Sequence, residues 1–182
     1  MDVVTATAFE APLAGGATAR FRHLDPEEDL DLVHGWMHQP HVVPFWHLDV
    51  PRAELRAHLE SMAAAAHIEP LIGCVDGVPV SYWEVYRAAE DALAAHYAAE
   101  EHDQGVHLLV GPIELTGRGL GRRLLEAVVD WQLAREPRTR RIVAEPDVRN
   151  ARMIHVFERC GFVREGELEL PDKRAVLMVR RR

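Results

Sequence analysis

Apolar residues recur at two spacings along this chain, and the changes of spacing mark its elements. Leu30, Val33 and Met37 repeat at helical intervals, and so do Leu55, Leu59 and Met62. Asp25-Pro26-Glu27-Glu28 reads as the start of the first helix: a capping side chain, a proline at the first helical position and acids in the first turn. Pro40 marks its end, and Pro51 opens the second helix. Between them, residues 41–46 carry Phe45 and Trp46 and are too aromatic for an idle loop. Residues 71–75 and 78–86 flank Asp76-Gly77, which predicts a β-hairpin. An Ala-rich, acidic stretch follows, and the short apolar run 106–110 predicts a buried strand. Glycine-punctuated residues 115–123 lead into a strongly amphipathic segment. Its Leu124, Leu125, Val128, Val129, Trp131 and Leu133 oppose Glu126, Asp130 and Gln132, and it ends before Pro137. A strand over 141–144, a second amphipathic helix over 150–159 closed by Gly161, and an antiparallel pair over 162–170 and 174–179 complete the pattern. With a weakly alternating first strand over 19–24, the order predicts a mixed α/β domain around one central sheet.

The bulk numbers bound the class. The 182 residues suit one domain, here 19–182, and 48% apolar residues suffice for a core. Residues 1–18, rich in Ala, Thr and Gly, read as a flexible tail or a poor first strand, and the tail is the reading taken here. Twenty-one basic and twenty-nine acidic side chains give a formal charge of −8, which argues against nucleic acid or an anionic membrane as partner. It is compatible with a cationic small molecule, or with solubility alone. Cys74 and Cys160 lie far apart with no CxxC spacing, so neither a disulfide framework nor a Cys-rich zinc site is expected, and a reducing, cytoplasmic setting fits. No apolar run approaches the roughly 20 residues of a membrane span, and the N-terminus lacks a signal-peptide pattern. The histidines show no HExxH or comparable spacing, so no metal is expected.

The first chemical motif is Gly117-Arg118-Gly119-Leu120-Gly121, set between a predicted strand and a predicted helix. Glycines there let backbone N–H groups turn toward one point, and the helix start adds its positive dipole end. Arg118, Arg122 and Arg123 add full charges, so the element suits a pyrophosphate. A plain tight turn is the alternative. No Lys-Ser/Thr pair follows, so it is not a P-loop, and it lacks the glycine spacing of a Rossmann fingerprint.

Arg118-Gly119-Leu120-Gly121 and the helix after it resemble the acyl-CoA pyrophosphate loop of GNAT acetyltransferases, with Thr116 where that loop usually has Gln or Arg. Asn150 and Phe157-Glu158-Arg159-Cys160-Gly161-Phe162 resemble the second hallmark of the family. Phe157 replaces the Tyr that, in many members, protonates the leaving CoA thiolate. A narrower resemblance, from about Trp36 to Met178, is to the siderophore-biosynthesis branch, which includes the aerobactin and mycobactin acyltransferases. It rests on Trp36-Met37-His38-Gln39-Pro40, Val43-Pro44-Phe45-Trp46, Pro70-Leu71-Ile72-Gly73 and Tyr82-Trp83-Glu84-Val85-Tyr86. It rests further on Gly105-Val106-His107-Leu108-Leu109-Val110-Gly111, Glu145-Pro146-Asp147-Val148-Arg149-Asn150 and Pro171-Asp172-Lys173-Arg174-Ala175.

The resemblance implies a GNAT fold, α/β (α+β), with a central mixed, mostly antiparallel sheet flanked by helices. It implies acetyl-CoA or another acyl-CoA as co-substrate, held by Leu109, Val110, Gly111, the loop Gly117 to Arg123, Asn150 and Phe157, with a backbone N–H near Val110 or Gly111 for the oxyanion. It implies an amine acceptor of lysine, ornithine or cadaverine type, hydroxylated or primary. His107 interrupts an apolar strand, a position that by pattern alone suits a satisfied core histidine; in the branch it is the proposed base, and imidazole titrates in the range aminolysis needs. Asp147 reads as a helix cap by spacing; in the branch it accompanies the histidine, to orient it or to bind the amine. Trp46, Trp83, Glu84 and Tyr86 are the expected substrate contacts, against the simpler reading of strand aromatics as core, and Lys173 and Arg174 read as a solvated turn. Two rival readings stand beside this one: an aminoglycoside 6'-N-acetyltransferase, whose members typically carry an acid where His107 stands, and a degenerate, non-catalytic CoA-binding module.

Overall fold

The computed structural model describes residues 6–182. Its strands are β1 (Thr7–Pro12), β2 (Thr18–His23), β3 (Ile68–Val75), β4 (Val78–Arg87), β5 (Gln104–Val110), β6 (Arg141–Ala144), β7 (Val163–Glu169) and β8 (Arg174–Arg181). Its α-helices are α1 (Leu30–Met37), α2 (Val43–Trp46), α3 (Arg52–Ala64), α4 (Leu120–Arg135) and α5 (Ala151–Arg159). The strands form one mixed sheet in the order β1-β2-β3-β4-β5-β6-β8-β7. β5 and β6 pair in parallel, while β1/β2, β2/β3, β6/β8 and β7/β8 pair antiparallel. The predicted mixed, mostly antiparallel sheet with flanking helices is therefore present. No helix among the described residues is long and apolar enough to cross a membrane.

The described chain gathers into two compact units. The first runs up to Glu84 and takes in 108–120; the second holds 85–107 and 121–182. In the first unit, Leu30, Val33, Trp36 and Met37 of α1 meet Leu55 and Leu59 of α3 and the strand residues Ile72, Tyr82 and Leu109 in one apolar cluster. In the second, Ile142, Val143, Ile154, Phe157, Phe162, Met178 and Val179 are buried. The Phe157 ring meets the Phe162 ring edge-on at 4.9 Å.

The flexible tail needs correction. Residues 1–5 lie outside the described residues, but β1 is a strand paired with β2, and Phe9 stacks on Phe21 with ring centroids 4.4 Å apart. The Gly15-Gly16 pair lies in the turn that joins them, where Leu13 N–H donates to the Ala17 carbonyl at 2.8 Å. The sequence signal was weak because an edge strand needs little apolar surface.

Helix α1 also starts later than Asp25-Pro26 predicts. The Asp25 carboxylate does cap, but it caps a turn, accepting from the Glu27 and Glu28 N–H groups at 2.9 and 3.1 Å. Asp29 then binds the Arg22 guanidinium with both oxygens, at 2.6 and 2.7 Å, and this ion pair ends the turn one residue before Leu30. The Ala-rich stretch 88–103 contains two short 3-10 turns, Ala88–Glu90 and Ala92–Ala95. Arg141 ties it down through two bonds to Asp103, at 3.0 and 2.6 Å, and one to the Ala98 carbonyl at 2.8 Å.

Candidate active site

The parallel pairing of β5 and β6 sets the central contact. Gln104 lies opposite Ile142 and Gly105 opposite Val143, so the same register carried onward brings His107 level with Glu145. The Nε2 of His107 meets Glu145 Oε1 directly. The Tyr86 hydroxyl donates to Glu145 Oε2 at 2.9 Å and lies 3.3 Å from His107 Nε2. The Lys173 ammonium stands 3.5 Å from Glu145 Oε1. The Tyr86 and His107 rings are tilted against each other at 4.9 Å. Glu145 is buried, Lys173 nearly so, and the His107 side chain is 33% exposed, so the imidazole is the member of the group that solvent or a small molecule reaches.

The charges in this group follow from its burial. Burial alone would push the Glu145 carboxyl up from its ordinary 4.5, but attraction to His107 and Lys173, with the hydrogen bonds from His107 and Tyr86, brings it to about 2. Burial, with the Glu145 charge beside it, holds the Tyr86 phenol well above its ordinary value, so Tyr86 remains a donor. An ionised carboxylate only accepts, and here it accepts from both neighbours. Such an arrangement holds the imidazole in a set orientation.

Glu145 is the functional candidate that sequence reasoning missed. Its signal was present, an acid closing a buried strand ahead of a proline, but it was absorbed into the Glu145-Pro146-Asp147 turn. Lys173, read as part of a solvated turn, is likewise drawn inward to Glu145, whereas Arg174 is exposed and paired with Glu167.

Asp147 needs correction as the partner of His107. Past Pro146 the chain still follows β8: Asp147 bridges Ala175, Val176 N–H donates to the Pro146 carbonyl, and Val148 N–H to the Arg174 carbonyl. The Asp147 carboxylate is spent on Arg149, accepting from its backbone N–H at 2.8 Å and its guanidinium at 2.9 and 2.6 Å. That pairing lowers the Asp147 carboxyl below its ordinary 3.8. Lys173 contributes to the lowering of both carboxylates.

In the first unit, Trp46 and Glu84 do converge, through Tyr82. The Trp46 and Tyr82 rings lie 5.6 Å apart, and the Tyr82 hydroxyl donates to Glu84 at 2.9 Å. Trp83 does not join them. Alternation along β4 turns it to the opposite face, where it is fully buried against Phe21 and donates to the Ser81 hydroxyl at 2.8 Å. Its role is in the core, as strand aromatics usually are.

The expected donor-site residues divide as well. Leu109 is buried in the apolar cluster. The Val110 carbonyl accepts from His41 Nε2 at 2.8 Å, and the Gly111 N–H is spent on the Val80 carbonyl at 2.9 Å, so Gly111 does not offer the expected oxyanion donor. Gly117 and Gly119 adopt φ of 72° and 76°, the left-handed conformation that a glycine-rich turn requires, and Arg118 between them is exposed. Leu120 opens α4, with Gly121, Arg122 and Arg123 in its first turn, where backbone N–H groups lack helical partners. Thr116, in the place usually held by Gln or Arg, donates its hydroxyl to the Ile113 carbonyl at 2.7 Å. The Asn150 side chain accepts from Met153 N–H at 3.1 Å and so caps α5. Phe157 is buried beside Phe162, and its lost hydroxyl is replaced by apolar packing. Among the described residues, no group of three or more His, Cys, Asp or Glu could hold a metal ion.

A mixed sheet in this strand order, with a glycine-marked turn ahead of α4, defines the acetyltransferase class of α/β folds. The chain belongs to the GNAT family: residues 25–170 match the acetyltransferase (GNAT) domain. It is 37% identical to lysine N-acyltransferase MbtK of Mycobacterium sp. (strain MCS), over 86% of this chain and 64% of that protein. It is 37% identical to the N(6)-hydroxylysine O-acetyltransferase of Escherichia coli, over 87% of this chain and 50% of that one. The chain thus spans between half and two thirds of the length of these relatives. Among solved structures, an uncharacterized protein from Bacillus halodurans superposes with a TM-score of 0.92 at 45% identity, covering 97% of this chain and 91% of the other. The aminoglycoside acetyltransferase AAC(6')-Ib, in complex with paromomycin and acetyl-CoA, superposes with a TM-score of 0.80 at 27% identity, covering 90% and 93%.

Proposed function

We propose that this protein transfers an acyl group from acetyl-CoA or another acyl-CoA to the amine of a lysine-, ornithine- or cadaverine-like acceptor, primary or N-hydroxylated, as a step in building an iron chelator. The observation that carries the reading is the partly exposed His107 imidazole anchored on buried Glu145. The nitrogen of the acceptor attacks the thioester carbon directly, and His107 removes its proton. The loop Gly117 to Arg123 holds the pyrophosphate of the donor through backbone N–H groups and guanidinium charge. Support for the acceptor class comes from the lysine and hydroxylysine enzymes to which the chain is similar, and for the donor from the acetyl-CoA bound by the structural neighbour. Acyl-CoA is an intracellular metabolite, and the two free, buried cysteines suit a reducing cytoplasm.

The second reading, aminoglycoside 6'-N-acetylation, draws on the superposition with AAC(6')-Ib. Thiol release from acetyl-CoA, measured with lysine, N-hydroxylysine, cadaverine and a set of aminoglycosides, separates the two. The hydroxylated or primary amines are expected to turn over, and His107→Ala to lose roughly 10²- to 10⁴-fold in rate. Turnover of aminoglycosides alone would replace the reading, and full activity in His107→Ala would refute the mechanism. Binding of acetyl-CoA with turnover of none of these amines would leave the degenerate CoA-binding module as the better account.

A further inference from the structure

Of the twenty-one Lys and Arg side chains in this sequence, twenty are arginine and one, Lys173, is lysine. A guanidinium stays protonated in proteins and does not attack a thioester, whereas a lysine amine does so once it has lost its proton. The chain therefore carries a single side-chain amine of the kind that the proposed reaction acylates, and the fold gives it a particular place. Lys173 stands in the turn between β7 and β8, which the Leu170 N–H closes by donating to the Lys173 carbonyl at 2.9 Å. From there its ammonium lies 3.5 Å from Glu145 Oε1, the same oxygen that His107 Nε2 meets. The side chain is 16% exposed, so it is held in the group around Glu145 without being sealed into the core.

We propose that Lys173 is a self-acylation site: with acyl-CoA bound and no acceptor present, its amine takes the acyl group, and the modified protein turns over more slowly. This rests on the reading of the protein as an acyl-CoA-dependent N-acyltransferase. An acceptor amine that gives its proton to His107 has to come within hydrogen-bond reach of that residue, directly or through one water. Lys173 already shares a carboxylate oxygen with His107, so its nitrogen lies in the neighbourhood where an acceptor nitrogen must arrive. In the reaction the ammonium first gives up one proton to solvent. The nitrogen then bonds to the acyl carbon, the C–S bond breaks, nitrogen loses its second proton and the thiolate gains one. Lysine ammonium plus thioester thus becomes amide, thiol and one released proton. The ion pair with Glu145 opposes the first proton loss, which makes self-acylation slow beside the turnover of an acceptor. The amide formed is neutral. It removes a charge that helps to lower the Glu145 and Asp147 carboxyls, and it takes an opposite charge away from buried Glu145.

The test reads the modification before it reads activity. The full chain is incubated with acetyl-CoA and no amine, and followed by intact mass and by peptide mapping, which separates Lys173 from the α-amino group. The expected result is an acetyl group on the peptide that holds Lys173, gained faster than in the same chain unfolded by denaturant. Lys173→Arg should gain none there. After this incubation, thiol release with lysine, N-hydroxylysine and cadaverine should fall about 10-fold in the wild type, as for the loss of a group that supports an active-site side chain. Lys173→Arg should keep the rate with which it started. An unmodified Lys173, or acetylation no faster in the folded than in the unfolded chain, would overturn the proposal. So would an undiminished rate in wild-type protein acetylated at Lys173. The wild-type peptide map decides even if Lys173→Arg does not fold. Turnover of the amines by a protein whose Lys173 stays unmodified would refute self-acylation and leave the acyltransferase reading intact. An acetyl group on Lys173 in a protein that turns over none of the amines would uphold the modification site and refute the acceptor class instead.

Discussion

The Tyr86 hydroxyl and the His107 imidazole lie 3.3 Å apart, and both end on the carboxylate of Glu145. The tyrosine is buried and the histidine is a third exposed, so the pair connects the interior of the second unit to its accessible surface. The phenol donates to this carboxylate from a buried position on β4.

Removing that support should be measurable. Tyr86→Phe leaves a buried carboxylate oxygen without its donor, which costs about 1–3 kcal/mol. Chemical denaturation should show the loss, and the rate of thiol release should fall by up to roughly 10-fold because Glu145 gains freedom to move. An unchanged denaturation midpoint together with an unchanged rate would show that the hydroxyl supports nothing.

Gly105→Ala should disturb the same group from the other side. A Cβ at this position would sit 2.0 Å from Tyr86 Cζ, against a ring that is buried and has nowhere open to turn. Overpacking of this kind costs about 1–3 kcal/mol. Gly35→Ala, in α1 with nothing near its added Cβ, is the control and should stabilise by about 0.5–1 kcal/mol. Equal thermal midpoints for the two variants would contradict the close approach of Tyr86.

Acid should weaken the protein through Glu145. Its carboxyl is depressed from an ordinary 4.5 to about 2 on folding, so the unfolded chain binds the proton more readily than the native one. The stabilisation is complete above the unfolded value and is lost as the pH falls through that interval toward about 2. Denaturant melts at successive pH values should show stability declining over that range, and less steeply in Glu145→Gln. A variant with the same acid slope as the wild type would assign the decline to other carboxyls.

The loop at Gly117 and Gly119 should be sensitive to conformation and not to bulk. An added Cβ meets nothing within 4 Å at either position, but φ of 72° and 76° disfavours any residue with a side chain. The cost is about 1–2 kcal/mol for each position that must keep the left-handed conformation, or roughly a 10-fold loss of acetyl-CoA affinity if binding requires it. Calorimetric titration of Gly119→Ala with acetyl-CoA checks this; wild-type affinity would mean that the donor does not use the turn.

The sequence by itself determined the succession of elements, because that information is local. The spacing of Leu124, Leu125, Val128 and Val129 makes α4, Asp76-Gly77 makes the β3–β4 turn, and Asn150 caps α5 as its position suggests. The family was legible for the same reason, since the glycine turn and the Asn150 to Phe162 segment are each continuous in the chain. Local pattern also set its limits. It overextended α1 toward Asp25 and ranked β1 below a loose tail, because the stacking of Phe9 on Phe21 and the pairing with β2 that hold this strand are not local. Which groups meet was decided by tertiary structure alone. Strand alternation sent Trp83 to the core and Glu84 to Tyr82, and the parallel register of β5 on β6 gave His107 to Glu145 while Arg149 claimed Asp147. A hydrogen bond between residues 38 positions apart depends on how two strands align, and that alignment is set by the burial of both strands in the sheet.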